Sequence, residues 1–154
     1  MKRVFLSTSF SHKVDYASGE VLPDFRKELE QLLRGLRGQA NIEVFCAMEH
    51  EKWKINAGVP PEVGIEKDLA EIDRADVLVA LVHDQPSVGV QFEIGYCVAK
   101  GKPVLLAMQS GNKLAYFNHG LVSAGLVTLI TYDDSASLVR QLTVALNVPG
   151  EELA

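Results

Sequence analysis

The 154-residue sequence predicts a three-layer α/β domain with a five-stranded parallel sheet in the order 2-1-3-4-5, and three features carry that expectation. Two apolar runs, Val77 to Val82 and Pro103 to Met108, are of the kind that marks strands buried on both faces. Between them Gly89 to Lys100 is long enough for three helical turns and is closed by Gly101 and Pro103, which makes a strand-helix-strand unit. The rest of the chain repeats that alternation, with no internal repeat and no low-complexity tract.

In chain order, Arg3 to Ser7 is the first strand, and Ser7-Thr8-Ser9 forms a hydroxyl-rich turn at its end. Such a turn either holds a phosphate or sugar or is ordinary turn and capping chemistry. A polar loop, His12 to Pro23, leads into a helix from Asp24 to about Leu36, whose apolar stripe is Leu29, Leu32, Leu33 and Leu36. Ile42 to Ala47 is the second strand. The long loop from Met48 to Pro61 carries the only tryptophan, Trp53, which either stacks on a base or caps the edge of the core. Pro61 to Arg74 is a helix bearing Asp68 and Glu71. After the third strand comes the turn Asp84 to Gly89, followed by the helix with Glu93 and the fourth strand. A polar and aromatic segment, Ser110 to Gly120, precedes the fifth strand, Leu126 to Tyr132, and Ser135 to Leu146 is a closing helix.

This is a flavodoxin- or Rossmann-like arrangement, in which ligands collect beyond the carboxyl ends of the strands. Asp84 to Gly89 therefore faces the expected site. Glu93, about one turn into its helix, is either a surface glutamate or a carboxylate aimed into that site, and local sequence does not choose. Asp68 is either a solvated charge or a second carboxylate brought to the same rim by the helix that leads back into the central strand.

Composition narrows the function classes. One domain spanning residues 1–154 is expected, with 47% hydrophobic and 23% charged residues and no apolar run of membrane-spanning length. The start MKRVFLSTSF reads as a strand and not as a secretory signal, so a cytoplasmic home is expected. A formal net charge of -5 without a clustered basic stripe argues against nucleic-acid polymers and membrane surfaces. Cys46 and Cys97 read as buried free thiols. The histidines show no ligand spacing and His50-Glu51 lacks a second histidine for a zinc motif, so no metal is expected. The chain has neither GxGxxG after its first strand nor GxxxxGK[ST], which removes the ordinary dehydrogenase and P-loop readings and leaves no cofactor.

With Asp68, Ala75-Asp76, Ser87, Gly89 and Glu93-Ile94-Gly95 in place, the chain resembles the nucleoside 2-deoxyribosyltransferase superfamily, which includes N-glycosidases acting on nucleoside 5'-monophosphates. The resemblance is sharpest over KDLAEIDRADVLVALVHDQPSVGVQFEIGYCVAKGKPVLL. It implies Glu93 as nucleophile and Asp68 as the residue that orients it or handles the proton. It further implies a substrate pocket drawing on Phe5, Ser7, Ser9, Phe10, Trp53, Ser87, Gly89 and Asn118. A small-molecule nucleotide or nucleoside as ligand and a homodimer or larger assembly with shared sites also follow from it. Transferases of the superfamily typically carry Asp six residues before the glutamate and monophosphate hydrolases carry Ser, and here that residue is Ser87. The expected activity is therefore hydrolysis of a CMP-like monophosphate to base and ribose 5-phosphate, with base exchange and non-catalytic nucleotide sensing as alternatives. Two departures stand out: SFSHK lacks the arginine those hydrolases place shortly after the first strand, and KLAYFNH lacks the serine they lend to a neighbouring subunit. His12 or Lys13 is the alternative source of charge for a phosphate, and Asn118 the alternative group crossing a subunit interface. Phe5 stands where deoxy-specific relatives tend to carry Tyr, so ribonucleotides are expected to be accepted at least as well as deoxyribonucleotides.

Overall fold

A computed structural model describes residues 1–55 and 58–147. Its strands are β1 (Lys2–Ser7), β2 (Ile42–Cys46), β3 (Val77–Val82), β4 (Val104–Gln109) and β5 (Thr128–Tyr132). All pair in parallel in the order β2-β1-β3-β4-β5, as expected. The helices are α1 (Pro23–Arg37), α2 (Ala47–His50), α3 (Pro61–Arg74), α4 (Val88–Ala99), α5 (Tyr116–Ser123) and α6 (Ser135–Asn147). No helix among the described residues is long and apolar enough to cross a membrane.

The period-2 geometry of the strands divides the interior into two cores. Val77, Val79 and Leu81 of β3 face the leucines of α1 and α6, whereas Leu78, Ala80 and Val82 face Ile72 of α3 and Val90, Ile94 and Cys97 of α4. All six residues of β3 are buried, which is why its sequence is an unbroken apolar run. On β1 the same alternation sends Val4 and Leu6 to the α1/α6 side and Phe5 to the other. Ser7, two residues on from Phe5, therefore also faces α3 and α4. Against the first core, α1 and α6 approach so closely that a Cβ on Gly35 would lie 2.6 Å from Val139 Cγ2, so a larger residue there would force Val139 to shift.

Three local expectations differ from the structure. The segment read as one loop from Met48 contains most of α2, a single turn too short to show any periodicity. The segment Ser110 to Gly120 contains the start of α5, whose Tyr116 and Phe117 are 96% and 66% exposed and so give no inward apolar stripe. Finally, β5 begins at Thr128 rather than Leu126: the Leu126 N–H donates to Leu121 O at 3.0 Å, in a turn made possible by Gly125 at φ +70°.

Candidate active site

The chain leaves β1 toward α1 on one face of the sheet and leaves β3 toward α4 on the other, so a crevice opens between their carboxyl ends. It is a cleft of about 380 Å³. Thr8, Phe10 and Ser11 from the β1 turn form one wall; Gly64, Ile65 and Asp68 of α3 and Glu51 after α2 form a second; Ser87, Gly89, Phe92 and Glu93 close the third. The two long loops join at its rim, where the Val21 N–H donates to Trp53 O at 2.9 Å and the Ile55 N–H to Gly19 O at 2.8 Å. Gly19 has φ +73°, and a Cβ there would come within 3.0 Å of Ile55 O.

Glu93 is half-buried in this cleft, with the Ser7 hydroxyl donating to its Oε2. These residues are 86 apart in sequence and meet because β1 directs Ser7, and β3 delivers α4, to the same end of the sheet. Burial, opposed by the Ser7 hydrogen bond and reinforced by the negative charge of Asp68, pushes the Glu93 carboxyl up to about 7. Burial likewise pushes Asp68 up to about 6, helped by the charge of Glu51 and opposed by Lys67. Lys67 offers the cleft little: its Nζ donates to Glu71 Oε1 at 2.7 Å. Two carboxyl groups with raised pKa values share one apolar-walled cleft, an arrangement suited to holding one proton between them.

Ser87 is the residue before α4, with extended backbone and no side-chain capping bond. Ser87, Gly89 and Val90, at the start of the twelve-residue α4, line this end of the cleft, where a helix N-terminus favours an anion. Gly89, one turn before Glu93, keeps that end open, since a Cβ there would meet only Ser87 Oγ, at 3.9 Å. Phe10 lines the cleft, while Ser9 is 4% exposed and donates to Ser11 O at 3.3 Å.

Other expected residues lie elsewhere. Phe5 is 1% exposed, one layer beneath Ser7, its ring 5.5 Å from that of Phe45. Trp53 is not on the cleft wall; it packs at the edge of the α1/α6 core with the Arg26 guanidinium 5.0 Å from its ring centre. Lys13 turns away to stand 5.1 Å from the Phe25 ring, and His12 is exposed. Lys13 instead lines a separate depression of about 450 Å³ between α1 and the β5–α6 turn, whose carboxylates Glu28, Asp133 and Asp134 are exposed. Asn118 is 2% exposed within its own chain, where it borders a space of about 10 Å³ shared with Ser9, His83 and Ser87. Glu51 is a cleft residue that the sequence does not single out. No spacing could have found it, because it reaches the cleft only through the approach of α2 to α3.

Comparison with known proteins places this geometry in context. A relative from Thermofilum pendens, provisionally named 2'-deoxynucleoside 5'-phosphate N-hydrolase 1, is 34% identical over 77 residues, covering 50% of this chain and 53% of that one. Mouse 5-hydroxymethyl-dUMP N-hydrolase is 49% identical over 57 residues, 36% of this chain and 32% of that one. The chain thus matches about half, or a third, of the length of these curated relatives. The structure of Clostridium botulinum CMP N-glycosidase BcmB superposes with a TM-score of 0.67 and 25% identity, covering 94% of this chain and 100% of that one. The sequence profile of the nucleoside 2-deoxyribosyltransferase family matches residues 17–140, and the chain belongs to that family.

Proposed function

We propose that the cleft cleaves the N-glycosidic bond of a nucleoside 5'-monophosphate, releasing free base and sugar 5-phosphate. The observation that carries this is Glu93, half-buried in the cleft, steadied by the Ser7 hydroxyl and coupled to Asp68. The names of relatives, two nucleotide N-hydrolases and a CMP N-glycosidase, support the substrate class.

In the first step a Glu93 carboxylate oxygen bonds to C1' while the C1'–N bond breaks, and its electron pair leaves with the base nitrogen, which takes the proton from Asp68. In the second, water attacks C1', gives its proton to Asp68 and frees Glu93. The reactive form has Glu93 ionised and Asp68 protonated. Burial raises both carboxyls, so the pair readily holds a single proton. Positive charge developing at C1' favours the Glu93 carboxylate and leaves that proton on Asp68.

The panel that tests the proposal is a set of paired ribo- and deoxyribonucleosides and their 5'-monophosphates, incubated with and without a second base. Free base from monophosphates without an acceptor is the expected result, and the ribo and deoxy pairs read out the sugar preference directly. Base release that needs the second base points to the transferase alternative. A sensor without chemistry is disfavoured by two carboxyls with raised pKa values, whose burial costs stability that binding alone does not require.

Ser87 is assigned to the 5'-phosphate. Ser87→Asp is expected to raise KM for monophosphates by roughly tenfold or more relative to the matching nucleosides, through like-charge repulsion. Equal effects on both series in steady-state kinetics would detach Ser87 from the phosphate.

The assembly proposed is a homodimer. Val88 and Phe92 of α4 and Tyr116 and Phe117 of α5 are exposed by 86%, 49%, 96% and 66%, and Phe92 also lines the cleft; exposed apolar side chains of this size are what a second subunit would cover. Sedimentation equilibrium is expected to give twice the chain mass, and Tyr116→Glu to reduce it to the chain mass.

A further inference from the structure

Glu51 has no part in the steps above, yet it stands in the same cleft as Asp68 and Glu93. It ends α2, and its carboxylate rests against α3: Oε1 lies 3.7 Å from where a Cβ on Gly64 would be. Gly64 is one helical turn ahead of Asp68, so the two share a helix face and Glu51 comes to rest beside Asp68. Its side chain has no hydrogen-bond or ion-pair partner among the described residues.

The titratable and charged groups around Asp68 are Glu51 and His50 from the α2 region, Lys67 and Glu71 from α3, and Glu93 from α4. Neither cation forms an ion pair with Glu51 or Asp68, although the charge of Lys67 lowers Asp68 and that of His50 lowers Glu51. Lys67 Nζ is held by Glu71 at 2.7 Å and stands 5.7 Å from the Phe45 ring centre, and the His50 ring packs 5.7 Å from Phe45.

We propose that Glu51 is a positioning residue that favours the reaction's proton on Asp68, by placing a carboxylate beside it in the cleft. This rests on the proposed function. A general acid must be protonated at the working pH, and a carboxylate neighbour makes loss of that proton costlier. The effect is selective: the negative charge of Glu51 raises Asp68, whereas the charge that raises Glu93 is that of Asp68. Glu51 therefore biases a proton shared by the pair toward Asp68, the partner that has to deliver it.

The test compares wild type, Glu51→Gln and Glu51→Asp by two readouts. Carbon-13 NMR titration of the Asp68 carboxyl in the empty protein needs no turnover; its midpoint is expected to fall in Glu51→Gln and to stay near wild type in Glu51→Asp. In pH-rate profiles the alkaline limb for monophosphates of ordinary bases is expected to move to lower pH in Glu51→Gln. It should not move for a nucleotide with a pyridinium base, which departs as neutral pyridine. An unmoved Asp68 midpoint in Glu51→Gln, with wild type active, overturns this inference alone. A wild type that releases no base from any monophosphate overturns the functional proposal and, with it, the catalytic role given to Glu51.

Discussion

Glu93→Ala is expected to lower kcat for monophosphate cleavage by about 10⁴-fold or more while leaving substrate binding within a few-fold, because a nucleophile acts mainly on the transition state. Stopped assays of base release alongside ligand titration by calorimetry check both halves. The same carboxyl has a stability signature of opposite sign. Its folded-state pKa is raised to about 7 from 4.5, so the folded protein favours the protonated form. The associated stability is fully present below pH 4.5 and is lost as pH rises through 7. Glu93→Gln, which mimics the protonated form, should therefore leave Tm nearly unchanged at pH 4 and raise stability at pH 8 by on the order of 2 kcal/mol. An active Glu93→Ala protein would remove Glu93 from the chemistry.

Asp68→Asn is expected to cost about 10²- to 10⁴-fold in kcat, the usual range for a positioned proton donor. Because the proton goes to the departing base, the loss should be greatest for bases that leave poorly and should shrink toward nothing for a pyridinium nucleotide. Asparagine retains the size and much of the hydrogen bonding of the acid, so the fold should survive. A uniform loss across leaving groups, measured as kcat over a series of bases, would make Asp68 an orienting group for Glu93 instead of a proton donor.

The fold was legible where burial is dictated by period. The apolar runs of β3 and β4 fall on strands enclosed by helices on both sides, and Leu29, Leu32, Leu33 and Leu36 form the inward stripe of α1. Where that period is missing, elements were hidden: α2 is one turn, and α5 presents Tyr116 and Phe117 to solvent. In the candidate site, Asp68, Ser87, Gly89 and Glu93 were expected together and the structure gathers them around one cleft. Trp53 could not be decided from sequence. Its place at the core edge depends on Arg26, 27 positions earlier, and on a left-handed backbone at φ +61°. Asn118 lies in a polar and aromatic segment with no inward stripe until α5 turns it inward, and Glu51 becomes a cleft residue only where the end of α2 meets α3. In each of these cases the deciding contact is long-range, beyond the reach of any local pattern.

The central claim is that Glu93 bonds to the sugar. Mass spectrometry of protein quenched during turnover of a slowly released monophosphate tests it most directly. The expected result is a mass gain equal to the substrate less its base, mapped to the peptide holding Glu93 and missing in Glu93→Gln. Release of base in a burst with no adduct at any quench time, and a sugar phosphate first formed with the inverted anomeric configuration, would contradict it.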